Sequence, residues 1–144
     1  MSPFIQITPT FSVSPQLEIS DIERAKADGF STIICNRPDG EAPDQPSSAD
    51  MKQTAASIGL EFHEIPIGQD GIGQDDITRT LALMAAGKPI LAYCRSGTRS
   101  CIVHGLSRIT AGDPVATVIA DAGAAGYDLS PYKARFETMA KNGA

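Results

Sequence analysis

Consecutive positions Cys94-Arg95-Ser96-Gly97-Thr98-Arg99-Ser100 bring together a thiol, two guanidinium groups, three hydroxyls and a glycine. The residues before them, Ile90-Leu91-Ala92-Tyr93, form a short apolar run that suits a buried strand. After them, Ile102, Val103, Leu106 and Ile109 recur on one face of a helix. The cysteine therefore stands where a strand ends, on a loop that feeds a helix N-terminus. Backbone N–H groups at such an end lack partners within the helix, and the helix dipole adds positive potential there. A tight loop can also turn several amides inward as an anion nest. That field, with Arg95 and Arg99, favours the thiolate, which is the reactive form of a cysteine. Gly97 opens backbone angles that other residues resist. The chemistry implied is attack by sulfur on a group whose oxyanion is held by amides and arginine. A buried structural thiol is the competing reading of any lone cysteine. The arginines, glycine and hydroxyls gathered in one short loop favour the reactive one.

The rest of the chain must hold that loop. At 144 residues it has the length of one domain with a real core, taken as 1–144. It is 42% hydrophobic and 20% charged, ordinary for a soluble globular protein. A net charge of -5 argues against general nucleic-acid binding, which needs a basic surface. The positive loop is then a local feature of an acidic body. No run of about 18 apolar residues is present, so no membrane span is expected. Met1-Ser2-Pro3-Phe4 lacks the basic and apolar regions of a signal peptide. Three scattered cysteines suit neither a disulfide framework nor a zinc site, and a reducing cytoplasm is the expected setting.

In chain order, 4–7 and 11–13 alternate apolar and polar residues around Thr8-Pro9-Thr10 and predict a hairpin. Ser20 and Glu23 form a capping-box pattern for a helix over 21–28, stopped by Gly29. A buried strand is expected over 30–35. Residues 36–46, rich in proline and other turn formers, read as a long loop within the domain. Ser47 or Ser48 caps a helix with Met51, Ala55 and Ile58 inward and Gly59 as its stop. A strand over 60–67, a Gly-rich loop and a helix over 74–86 follow. Asp113-Pro114 and Ser130-Pro131 each pair a cap with a proline and predict helices over 114–125 and 131–141. Strands alternating with helices predict a mostly parallel sheet with helices on both faces. The loops after Cys35, Ile67 and Tyr93 should meet at the carboxyl edge of that sheet.

The loop 94–100 resembles the active loop of rhodanese-type sulfurtransferases, where the cysteine carries a persulfide. It also resembles the phosphate loop of cysteine-dependent tyrosine and dual-specificity phosphatases. Four residues separate Cys94 from Arg99, one fewer than in those phosphatases, and Tyr93 replaces their usual histidine. Gly29-Phe30-Ser31-Thr32-Ile33-Ile34, Asn36-Arg37-Pro38-Asp39-Gly40-Glu41 and Ile65-Pro66-Ile67 resemble the phosphatase-like family of β-lactamase-hydrolase-like proteins. This resemblance covers about residues 4–135 and implies a dual-specificity-phosphatase-like fold. The Gly-His-Ile segment that precedes a rhodanese loop has no counterpart.

For a phosphatase, the resemblance makes Cys94 the nucleophile and Arg99 a bidentate clamp on the phosphoryl oxygens. Arg95, Ser96, Gly97 and Thr98 would supply main-chain donors, and Ser100 would support the leaving thiolate or simply begin the helix. An acid must protonate the leaving oxygen. Asp70 occupies the expected place, with Asp75 and Asp76 as alternatives that also read as first-turn helix acids. Arg37 binds substrate, braces the loop, or lies on the surface. Cys35 is a buried thiol or an oxidation partner of Cys94, and Cys101, His63 and His104 read as structural. The substrate class is phosphotyrosine or a similar aryl phosphate. The alternative is sulfur transfer through a Cys94 persulfide, which would not need Asp70. Neither activity requires a metal or cofactor. The short, small-residue loop is also expected to take two states, an anion favouring the one in which the amides and Arg99 converge.

Overall fold

A computed structural model of the chain describes residues 3–142. Met1 and Ser2 of the amino-terminal stretch, and the last two positions of the 1–144 domain, lie outside the described residues. A five-stranded sheet runs in the order β1-β2-β5-β3-β4. Its strands are β1 (Ile5–Thr8), β2 (Phe11–Ser14), β3 (Thr32–Cys35), β4 (Glu61–Glu64) and β5 (Ile90–Tyr93). The β1–β2 hairpin is antiparallel, and β2, β5, β3 and β4 are mutually parallel.

Alternation of side chains along the strands divides the core in two. Ile33, Cys35, Leu91 and Tyr93 face α1 (Ile19–Ala27) and α2 (Ser48–Ser57), packing with Ile22, Ala25, Met51 and Ala55. Ile34, Ile90 and Ala92 point the other way. There they meet α3 (Gln74–Met84), α4 (Thr98–Thr110), α5 (Val115–Ala124) and α6 (Lys133–Asn142). Helix α4 is the centre of that layer: every residue from Ser100 to Ser107 is buried, as is Ile109. No helix among the described residues is long and apolar enough to cross a membrane.

Several boundaries differ from the sequence expectation. Helix α1 is capped at Glu18, whose N–H donates to the Asp21 carboxylate at 2.9 Å, and not by Ser20 with Glu23. The N-cap of α2 is Ser47, whose hydroxyl accepts from the Asp50 N–H. Strand β4 ends at Glu64 rather than running to Ile67, since Pro66 has no N–H for a ladder. The Ile65 and Ile67 N–H groups still donate to Cys35 and Asn36 carbonyls. Asp113 does not cap α5. Its carboxylate accepts from Arg108 Nε at 2.8 Å, and Pro114 occupies the cap position. The last helix is preceded by a 3-10 turn, Ser130–Tyr132.

Phe136 on α6 is fully buried in the α3–α6 layer. Replacing it by alanine removes a large side chain that the surrounding helices cannot close over. Phe136→Ala is expected to cost about 3–5 kcal/mol in denaturant titration. Circular dichroism should follow a single transition for the variant and the parent. An early separate transition would mean that α5 and α6 do not share the core of the sheet.

Candidate active site

Asn36, the residue after β3, ties the carboxyl edge of the sheet together. Its N–H donates to the Tyr93 carbonyl at 2.8 Å, its side-chain Nδ2 donates to the Ile65 carbonyl, and its own carbonyl accepts from the Ile67 N–H. The strand ends that carry the three expected loops are therefore cross-linked through one buried residue. A fourth segment joins them. The Gln16 N–H, following β2, donates to the Arg95 carbonyl at 3.2 Å, and the Cys94 N–H approaches the Ser14 carbonyl.

Cys94 is fully buried where β5 ends. Gly97 then takes a left-handed conformation, φ 91°, as the cap of α4, and its N–H donates to Cys94 Sγ at 3.1 Å. The loop thus turns a main-chain donor onto the sulfur. Ser96 Oγ donates to Thr98 Oγ1 at 3.0 Å and accepts from the Thr98 N–H, which stiffens the turn from outside. Ser100, in the first turn of α4, is buried and its Oγ has no hydrogen-bond partner. Arg95 is exposed.

Arg99 is fixed by an acid that sequence reasoning did not single out. Its Nη1 and Nη2 donate to the two oxygens of Glu41 at 2.8 Å each, and Nη1 also donates to the Ile67 carbonyl at 2.7 Å. The Nε–H and the second Nη2–H lie together on the opposite edge of the planar group from Glu41. Hydrogen bonding to Glu41 raises the Arg99 pKa above its ordinary range, and Cys94 adds to the shift through charge and hydrogen bonding. Glu41 in turn is held down to about 2, mainly by Arg99 and further by Arg37, against an opposing effect of burial.

Arg37 is buried and braces this pair. Its Nε donates to Glu41 at 2.9 Å and its Nη1 to Gln16 Oε1 at 3.0 Å. Of the readings open for Arg37, the structure favours the brace. Gln16, Arg37, Glu41 and Arg99 form a chain of contacts around the loop. The signal for Glu41 was present: an acid on a loop assigned to the same sheet edge as two arginines. Nothing local marked Gln16 or Asn36.

Asp70 is exposed at the third position of a turn closed by the Gly71 N–H on the Gly68 carbonyl at 3.1 Å. Asp76 caps α3 by accepting from the Gly73 N–H at 2.8 Å, as a first-turn helix acid should. Cys35 packs with Tyr93, and its thiol donates to the Arg37 carbonyl; burial pushes its pKa up. His104 is buried and stacked on Phe11, and burial pushes its pKa down to about 3, so it is neutral.

The Glu41 shift has a pH consequence. Its pKa is lower in the folded chain, so its stabilising effect is complete above the ordinary value of 4.5 and is lost as pH falls toward about 2. The carboxylate is partly exposed, which weakens the pair. Glu41→Gln is expected to lower stability by about 1 kcal/mol at neutral pH. Denaturant titrations across the acid range should show the difference from the parent narrowing below the ordinary carboxylate value. A difference that stays constant into strong acid would contradict the assignment.

The family model for the phosphatase-like domain of beta-lactamase hydrolase-like proteins matches residues 3–111. A beta-lactamase hydrolase-like protein of Agrobacterium fabrum is 32% identical over 127 residues, 87% of this chain; the match covers 30% of that longer protein. A solved Neisseria meningitidis protein, described as a candidate phosphatase, superposes with a TM-score of 0.80 at 35% identity, covering 94% of this chain and 97% of its own. Tk-PTP in the active form shares the fold, with a TM-score of 0.71 at 16% identity over 96% of each chain. The chain belongs to the phosphatase-like family of beta-lactamase hydrolase-like proteins and has a fold of the protein-tyrosine-phosphatase type.

Proposed function

We propose that this chain is a cysteine-dependent phosphatase that hydrolyses phosphotyrosine or similar phosphate monoesters through a phosphocysteine. The observation that carries the proposal is the pairing of a buried sulfur, contacted by the Gly97 N–H, with an Arg99 fork that Glu41 holds by its far edge. The Nε–Nη2 donor pair on the other edge of Arg99 matches adjacent phosphoryl oxygens. In this reading main-chain N–H groups of the loop supply further donors, since donors fixed in place stabilise charge that spreads over the oxygens in the transition state.

In the first step the Cys94 thiolate attacks phosphorus, forming the S–P bond as the ester P–O bond breaks. The leaving oxygen takes a proton from Asp70. In the second step water attacks phosphorus, Asp70 accepts its proton, and the S–P bond breaks to return the thiolate and inorganic phosphate. The Ser100 hydroxyl, buried without a partner, has a donor to offer the returning thiolate. Asp70 stands exposed on its turn, free of bonds that would hold it from the substrate. The cytoplasm is the proposed setting, where the free thiols Cys35, Cys94 and Cys101 stay reduced.

A second reading, sulfur transfer through a Cys94 persulfide, is favoured by one feature, the four-residue spacing between Cys94 and Arg99. One set of assays separates the two. With a generic aryl phosphate, Cys94→Ser should reduce turnover to background. Asp70→Asn should lower kcat about a hundredfold, in the range of a lost general acid. Activity surviving Cys94→Ser would contradict the proposal. Thiosulfate-to-cyanide transfer with a stable Cys94 persulfide, and no ester cleavage, would replace it with the second reading.

A further inference from the structure

Tyr127 lies outside the stretch matched by the family model, residues 3–111, on the segment that follows α5. Its hydroxyl donates to the Ser96 carbonyl at 3.0 Å. The nitrogen of that same peptide unit belongs to Gly97, whose N–H donates to Cys94 Sγ at 3.1 Å. The C=O and N–H of a trans peptide point in opposite directions. A hand on the outer carbonyl therefore keeps the inner N–H aimed at the sulfur. Rotating the unit would break the bond to Tyr127 and present an oxygen to Cys94 in place of a donor.

The contact between Tyr127 and the loop is close. A Cβ built on Gly97 would collide with the Tyr127 hydroxyl, and the φ of 91° there is one that other residues rarely adopt. Position 97 thus needs glycine for conformation and for room. The ring of Tyr127 packs against the α3–α6 core, so the hydroxyl is presented from a supported side chain. Burial, followed by the nearby Cys101 and Cys94, raises the Tyr127 pKa, which keeps the phenol a donor.

We propose that Tyr127 is a positioning residue: it latches the Ser96–Gly97 peptide in the orientation that gives Cys94 its main-chain donor, and so makes the segment after α5 part of the active site. The catalytic consequence rests on the phosphatase reading; the effect on the Cys94 sulfur does not.

Tyr127→Phe keeps the ring over Gly97 and removes only the donor. Iodoacetamide alkylation of Cys94, followed by peptide mass mapping of the full chain, reads the reactivity of the sulfur. The variant should react about fivefold more slowly than the parent at the same pH, the equivalent of one hydrogen bond. Orthovanadate binding should weaken by a similar factor, and kcat/KM for an aryl phosphate should fall about fivefold or more. Tyr127→Leu, which also removes the ring contact, should exceed the phenylalanine variant in all three. A purely structural tyrosine would lower the melting temperature and leave the alkylation profile and vanadate affinity unchanged, which would overturn the latch. If the parent cleaves no phosphate ester, the function proposed above fails while alkylation and vanadate binding still test the latch. If ester cleavage is normal and neither alkylation nor vanadate binding responds to Tyr127→Phe, the latch fails and the phosphatase reading stands.

Discussion

A main-chain N–H aimed at a buried sulfur constrains this molecule more than any other contact. For Gly97 to donate to Cys94, the chain must reverse within a few residues of β5 and enter α4 through a left-handed angle. A strand buried on both faces delivers Cys94 to that point, and a helix with a run of buried residues fixes the far side of the turn. The sheet edge is in turn held by Asn36, which bonds to the residue before Cys94 and to the strand-end segment whose Ile67 carbonyl receives Arg99. Loop geometry and core packing are thus the same problem seen from two ends.

Charge is arranged with equal economy of means. The chain is acidic overall, with a net charge of -5, yet the proposed function requires the site to attract an oxyanion. A carboxylate that filled the whole arginine fork would make Glu41 a competitor of any phosphoryl group. The donors it uses decide otherwise. Glu41 takes the Nη1–Nη2 edge of Arg99 and the Ile67 carbonyl takes the other Nη1 hydrogen, so the Nε–Nη2 edge is not occupied by the acid and is the one the proposed function assigns to the phosphoryl group. A long arginine side chain loses conformational freedom when it binds an anion. Fixing Arg99 beforehand removes much of that cost from the binding step. Arg37 offsets the charge of Glu41, and Gln16 anchors Arg37, so the acid serves the site as a brace.

Much of this was legible in the sequence. The apolar run before Cys94, the helical spacing after it and the glycine stops located the strand, the loop and most helices. Alternation of strands and helices gave the parallel sheet and the edge at which the loops meet. What was not legible depends on contacts between distant positions. Glu41 meets Arg99 across 58 residues and Tyr127 meets Ser96 across 31, and no local pattern encodes either. Errors nearer at hand have local causes. Ser20 with Glu23 fits a capping box as well as Glu18 with Asp21 fits one in the structure, and only the path of the chain out of β2 chooses between them. The strand expected to reach Ile67 stops early because Pro66 cannot donate, although the hydrogen bonding to β3 and Asn36 continues past it.

In the proposed function Cys94 is a nucleophile in an oxyanion cradle. The most direct measurement is rapid acid quenching of the chain during turnover of an aryl phosphate, followed by mass spectrometry of the peptide that carries Cys94. A phosphoryl group on the Cys94 sulfur is expected, forming and decaying at rates compatible with turnover. Phosphate release with no adduct on Cys94, or with the phosphoryl group on another residue, would contradict it.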